Sequence, residues 1–165
     1  MSYYDIDSII AENQKIPCTC LVSIPGLGHE GREVSQGSKV ELPFWLAEVF
    51  AVNSFVDIHM PPPFSSVVRN ALKANPNTVA LRDTTTHFYH FAEQLLHVVS
   101  DTSLAEVVLD TLRQRSMEIA DAAVNPQGAI QQNNSFIEGL DDFERLLFRL
   151  AYLSHRDIAR WQKQN

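Results

Sequence analysis

"HMPPPFSSVVRNALKANPN", residues 59–77, changes character at its centre. The three consecutive prolines, Pro61 to Pro63, suit neither a central strand nor a helix interior, because each fixes φ and withholds a backbone N–H. Beyond them the apolar residues recur at helical spacing: Phe64, Val67, Val68, Ala71 and Leu72 form one stripe that ends before Pro76. Before them no such period persists. The run therefore divides the chain, predicting a small α+β (β-rich) unit over residues 1–60, a proline linker at 61–63 and a helical unit over 64–165.

Upstream the elements are short. Asp5 is an N-cap candidate in front of Ile6, Ile9 and Ile10 at helical spacing, and Pro17 stops that helix. "CTCLVSI", residues 18–24, reads as a strand, "GLGHEGREVSQGS", residues 26–38, as a glycine-rich loop, and "KVEL", residues 39–42, as a brief returning strand. Pro43 opens a second helix in which Trp45, Leu46, Val49 and Phe50 share a face, and "FVDIHM", residues 55–60, alternates like a closing strand. On this reading Trp45 anchors the small core together with Leu42, Pro43, Leu46 and Phe50.

Downstream, Phe88, Phe91, Ala92, Leu95 and Val99 define one helix, and a longer one runs from about Leu104 to Val124. Ser135 and Glu138 make a capping-box pattern for a last helix reaching about Lys163, with Gly139 a weak point near its start. The class is α+β, mainly α. The last helix is apolar beyond what one packing face needs: Leu140, Phe143, Leu147, Leu150 and Trp161 form a seam, while Phe148 and Tyr152 lie across from it. Arg145, Arg149, Arg156 and Arg160 align within about 60° of one another at about 100° per residue. The seam is expected inside the unit, with Phe88, Leu147, Leu150 and Trp161 as anchors. Phe148, Tyr152 and the four arginines are then expected to meet another chain.

Composition narrows the chemistry. With 13 basic and 20 acidic residues the net charge is −7, which opposes binding that depends on neutralising phosphates, so DNA binding by the isolated chain is not expected. The two cysteines, Cys18 and Cys20, stand too close in sequence for an ordinary disulfide and fit a reducing compartment. There is no charged-then-apolar leader and no uncharged apolar run of about 18 residues, so neither secretion nor membrane spanning is expected.

The segment "THFYHFAEQLLHVV", residues 86–99, invites a metal reading, since His90, Glu93 and His97 fall on the polar face of their helix along with His87. His90 and His97 are separated by about 10.5 Å of axis at about 1.5 Å per residue, too far for both to reach one ion. One adjacent pair would need two further ligands, and no motif supplies them, so neither a metal nor a cofactor is expected. "GLGHEG", residues 26–31, matches neither a dinucleotide loop nor a Walker loop, and no nucleophile elbow is present. The residues point to no catalytic group and no enzyme.

"QGSKVELPFWLAEVF", residues 36–50, followed by "FSSVVRNALKANPNTVALRDTTTHFYHFAEQLL", residues 64–96, closely resembles the third-partner subunits of the GINS complex, a eukaryotic replication factor. The likeness extends over nearly the whole chain. It implies a small β-containing domain joined to a helical domain, and a heterotetramer with three paralogous subunits formed mainly through helical domains. It also implies a nuclear, non-catalytic role in the replicative helicase, beside the MCM ring and its CDC-forty-five-type cofactor. A helical metal-binding protein using His90, Glu93 and His97, or a generic helical interaction module, are the alternative readings.

Overall fold

The computed structural model describes residues 5–28, 31–125, 128 and 135–164. The chain divides into two compact units, Met1–Ser65 and Ser66–Asn165. The first contains α1 (Ile6–Glu12), β1 (Lys15–Cys20), β2 (Lys39–Pro43), α2 (Phe44–Val52) and β3 (Val56–Ile58). Its strands make one antiparallel sheet in the order β2-β1-β3, with Ile16 opposite Leu42 and Cys20 opposite Val56. Alternation along β1 turns Ile16, Cys18 and Cys20 to the buried face. The two cysteines are therefore core residues. Both thiols are free, and burial, aided by Cys20 and Asp57, pushes the Cys18 thiol up to about 11 and keeps it protonated.

Two helix faces depart from the sequence expectation. In α1 the buried residues are Ser8 and Ala11, and Ile6, Ile9 and Ile10 point outward. In α2 the buried residues are Phe44 and Ala47, whereas Trp45 is 49% exposed and Val49 is exposed as well. The reason is that α2 has Glu48 as its single polar residue, so periodicity offers no polar side to mark as outer. Phe44 then fixes the rotation by filling the core. Trp45 is not a core anchor. Trp45→Ala is accordingly expected to cost no more than about 1 kcal/mol, in the range of surface substitutions, and not the ~3–5 kcal/mol of a buried aromatic. Urea denaturation of the two proteins side by side measures the difference.

Pro62–Phe64 form a 3-10 turn, with Pro61 and Pro63 buried, so the proline run is ordered and packed. The second unit contains α3 (Ser66–Ala74), a 3-10 turn at Pro76–Thr78, α4 (Leu81–Thr84), α5 (Phe88–Val98), α6 (Thr102–Val124) and α7 (Asp142–Gln164). Leu72, Leu81, Phe88, Phe91, Leu95 and Leu104 are among its buried side chains. Asp101 caps α6 by accepting from the Leu104 N–H at 3.1 Å, and it accepts from Arg69 of α3 at 2.7 Å. Those two contacts hold its carboxyl below the usual range.

The last helix is not continuous from Ser135. A helical turn at 135–138 is followed by a break, and α7 starts at Asp142. Gly139 makes the break possible. A Cβ there would lie 2.9 Å from the Ala80 Cα, and the Gly139 carbonyl accepts from the Arg82 N–H at 3.3 Å, so the chain passes close against the entry to α4. Among the described residues no helix is long and apolar enough to cross a membrane.

Candidate assembly interface

The start of α7 is fixed by a buried polar cluster that gathers most of the second unit. Arg115 of α6 and Glu144 of α7 are both fully buried and pair bidentately, Nε to Oε1 at 2.6 Å and an η nitrogen to Oε2 at 2.8 Å. The other η nitrogen of Arg115 donates to the Pro76 and Val79 carbonyls at 2.7 and 2.9 Å, and the guanidinium lies 4.8 Å from the Phe136 ring centroid. Tyr89 of α5 donates its hydroxyl to Glu144 Oε1 at 2.8 Å. Burial and the adjacent Glu144 carboxylate drive the Tyr89 hydroxyl well above the usual phenol range, so it stays a donor.

Asp141 and Glu144 form a reciprocal cap on α7. The Asp141 carboxyl accepts from the Phe143 N–H at 3.4 Å while Glu144 accepts from the Asp141 N–H at 3.1 Å. Asp141 also accepts from the Phe88 N–H at 2.9 Å, which binds the start of α5 to the start of α7. Its burial raises its pKa from 3.8 to about 6, against the opposing pull of these amide donors. A carboxyl raised in the folded state holds its proton more tightly there than in the unfolded chain. Its contribution to stability is therefore present at low pH and falls as pH rises from about 4 to about 6. Between pH 7 and pH 5 the parent should gain stability relative to Asp141→Asn, which cannot titrate. Melting temperatures of the two across that window check this, and parallel curves would count against it.

From this fixed start α7 carries its apolar residues past the bundle. Leu147 and Phe148 pack, partly buried, against the cluster of Ile119, Phe136 and Leu140. Leu150 and Trp161 are 52% and 65% exposed, and Leu146 and Ile158 are exposed too. Leu150 and Trp161 are thus not internal anchors, and Phe148 faces inward. Once Glu144 is committed to Arg115, the side of the helix one and two turns further on, at Phe148 and Ala151, is turned toward the core, and Leu146, Leu150 and Trp161 are turned away. Phe88 is fully buried as expected. Tyr152, Arg149 and Arg160 are exposed, Arg156 is half-buried beside Asp157, and half-buried Arg145 donates to the Glu138 carbonyl.

The histidines divide. His87 is buried, and His90 is half-buried with its ring edge-on to those of His87 and Phe143, at centroid distances of 6.4 and 6.1 Å. Both therefore face the start of α7, not the solvated side. Glu93 and His97 are exposed. Among the described residues no group of three or more His, Cys, Asp or Glu side chains is placed to hold a metal ion.

Sequence reasoning missed the Arg115–Glu144 pair. The signal for it was present: Arg115 interrupts the stripe of Val108, Thr111, Ile119 and Ala122 on α6, and Glu144 lies between Leu140 and Leu147. A charge on the apolar side of each of two helices implies a buried partner.

The second unit is thus a helical bundle whose last helix leaves Leu146, Leu150, Ile158 and Trp161 exposed, and the first is a small three-stranded sheet unit. The PSF3 N-terminal domain model matches residues 4–52, and the GINS complex protein helical bundle domain model matches residues 64–163. The chain is 70% identical over 162 residues to the DNA replication complex GINS protein psf3 of Schizosaccharomyces pombe, covering 98% of each. It is 42% identical over 170 residues to the protein of that name from Phaeosphaeria nodorum, covering 97% of this chain and 95% of the relative. Against the Aspergillus fumigatus protein the identity is 39% over 171 residues, covering 98% and 96%. The chain belongs to the Psf3 family of GINS proteins.

Proposed function

We propose that the chain is a non-catalytic, structural subunit of the GINS complex acting in DNA replication, with residues 64–165 as its assembly domain and residues 1–60 as a separate small domain. Its direct partners are the three paralogous GINS subunits. Through them it stands beside the MCM ring and the CDC-forty-five-type cofactor of the replicative helicase, in the nucleus. One observation supports this reading beyond the family match: four large apolar side chains, Leu146, Leu150, Ile158 and Trp161, are exposed along α7. Arg149 and Arg160 border the Leu146 side of that surface and Tyr152 is exposed across from it, and aromatic residues with arginine are the types that interface cores and their edges favour.

Co-expression with the three paralogous subunits, followed by size-exclusion chromatography with light scattering, tests the assignment. The expected result is a monodisperse particle with the summed mass of four chains, whereas the chain alone aggregates or is held by chaperones. A stable monomer that elutes apart from its co-expressed partners would overturn it.

A further inference from the structure

The first unit carries an apolar surface that the fold does not use. Ile6, Ile9 and Ile10 are exposed along α1, and Trp45, Val49 and Val52, spaced four and three residues apart, are exposed along α2. Ile9 and Ile10 of the first stripe and Trp45 of the second line one groove of about 360 Å³, together with Glu12 and Asn13. Each stripe is ordinary in isolation. Three large apolar side chains from two helices converging on one groove exceed the singly scattered apolar residues that a protein surface normally shows.

Charge identifies the occupant. The acidic residues Asp7, Glu12 and Glu48 belong to α1 and α2, and neither helix contains a lysine or arginine. Over Met1–Ser65 three basic residues face eight acidic ones, so this unit accounts for five of the chain's seven net negative charges. An anionic membrane or a nucleic-acid backbone is repelled by a unit with this charge, with Glu12 at the groove itself. A ligand that satisfies both features must bring apolar side chains for the groove and lysine or arginine for its edge. A groove lined by Ile9, Ile10 and Trp45 with Glu12 at its edge suits the apolar face of an incoming helix, read at i, i+3, i+4 and i+7. We propose that the groove between α1 and α2 is the docking site for a basic amphipathic helix of another protein.

The proposal is independent of the assembly role assigned to α7. It is tested on the full chain, alone or in its co-expressed complex, whichever is monodisperse. The probe is a fluorescent amphipathic peptide with leucine and tryptophan on one face and lysine on the other, read by anisotropy. Its counterpart has every lysine replaced by glutamate. The lysine peptide should bind at least tenfold more tightly than the glutamate peptide. Ile9→Ser with Trp45→Ser, which leaves the charge unaltered, should weaken it at least tenfold. Asp7→Lys with Glu48→Lys should reverse the preference between the peptides. All four positions are exposed, so the variants are expected to melt with the parent, and their circular dichroism verifies it. Equal binding of both peptides, or unchanged binding to the Ile9→Ser and Trp45→Ser protein, would overturn the proposal. So would a change of oligomeric state in that variant without loss of peptide binding, which would assign the groove to a second copy of the chain.

Discussion

Arg115→Ala is expected to cost the helical unit about 3–5 kcal/mol, because removing one member of a buried pair leaves the other charge without compensation. That is a large share of the stability of a unit this size. The loss reaches beyond Glu144. Arg115 also donates to the Pro76 and Val79 carbonyls, which would be left without that donor in the interior at about 1–3 kcal/mol for each group that finds no replacement. The diagnostic measurement is a double-mutant cycle by urea denaturation. Glu144→Met should be costly alone, as should Arg115→Met. The combined variant should cost clearly less than the sum, since two apolar side chains of suitable length remove both stranded charges together. Adding Tyr89→Phe should recover a further part, because the Tyr89 hydroxyl then no longer lacks its acceptor. Additive losses would mean that the two residues act separately and that the pair does not organise the bundle.

That network also marks the boundary of what the sequence discloses. The helix at α5 and the long helix α6 follow from local pattern, because a 3.6-residue period survives in them, whereas the strand expected at 18–24 is β1, Lys15–Cys20, which begins earlier, takes in Pro17 and ends at Cys20. The expected helix from about Leu104 to Val124 is α6, Thr102–Val124, to within its capping turn. What local pattern does not contain is rotation. In α2, with one polar residue, and in α1, with isoleucines where the structure buries Ser8 and Ala11, the inward face depends on which side chains fit the sheet. In α7 the rotation is set at a distance by Glu144 meeting Arg115, a contact spanning 29 residues of chain. A helical wheel centred on Leu140 places Phe148 outside and Leu150 inside. The buried pair reverses that order. Apolar residues destined for a partner look like core residues in the sequence, and only packing tells them apart.

The same rotation decides which substitutions on α7 should abolish assembly and which should damage the fold. Leu146, Leu150 and Trp161 lie within about 60° of one another on the outer side at about 100° per residue, along a helix about 34 Å long at about 1.5 Å per residue. Leu150→Glu combined with Trp161→Ala removes an aromatic anchor and places a carboxylate where a partner would have to desolvate it. A buried tryptophan at the centre of an interface contributes about 2–4 kcal/mol, and an unpaired buried charge adds several more, so the affinity for the partner subunits should fall by at least three orders of magnitude. Both side chains are exposed in the chain itself, so its helical content should be unchanged. Phe148→Ala should do the opposite. It withdraws a ring from the Ile119, Phe136 and Leu140 cluster and should lower the chain's own stability, by less than the ~3–5 kcal/mol of a fully buried aromatic. Arg149→Glu should act on association rate and salt dependence more than on final affinity, as a charge at a rim does. Co-purification of each variant with its co-expressed partner subunits over a dilution series, with circular dichroism and thermal melting of the same samples, separates these outcomes. If Leu150→Glu with Trp161→Ala binds like the parent, the outer side of α7 is solvated in the complex. The exposed α6 residues Leu109, Met117 and Val124 then become the surface on which assembly must be sought.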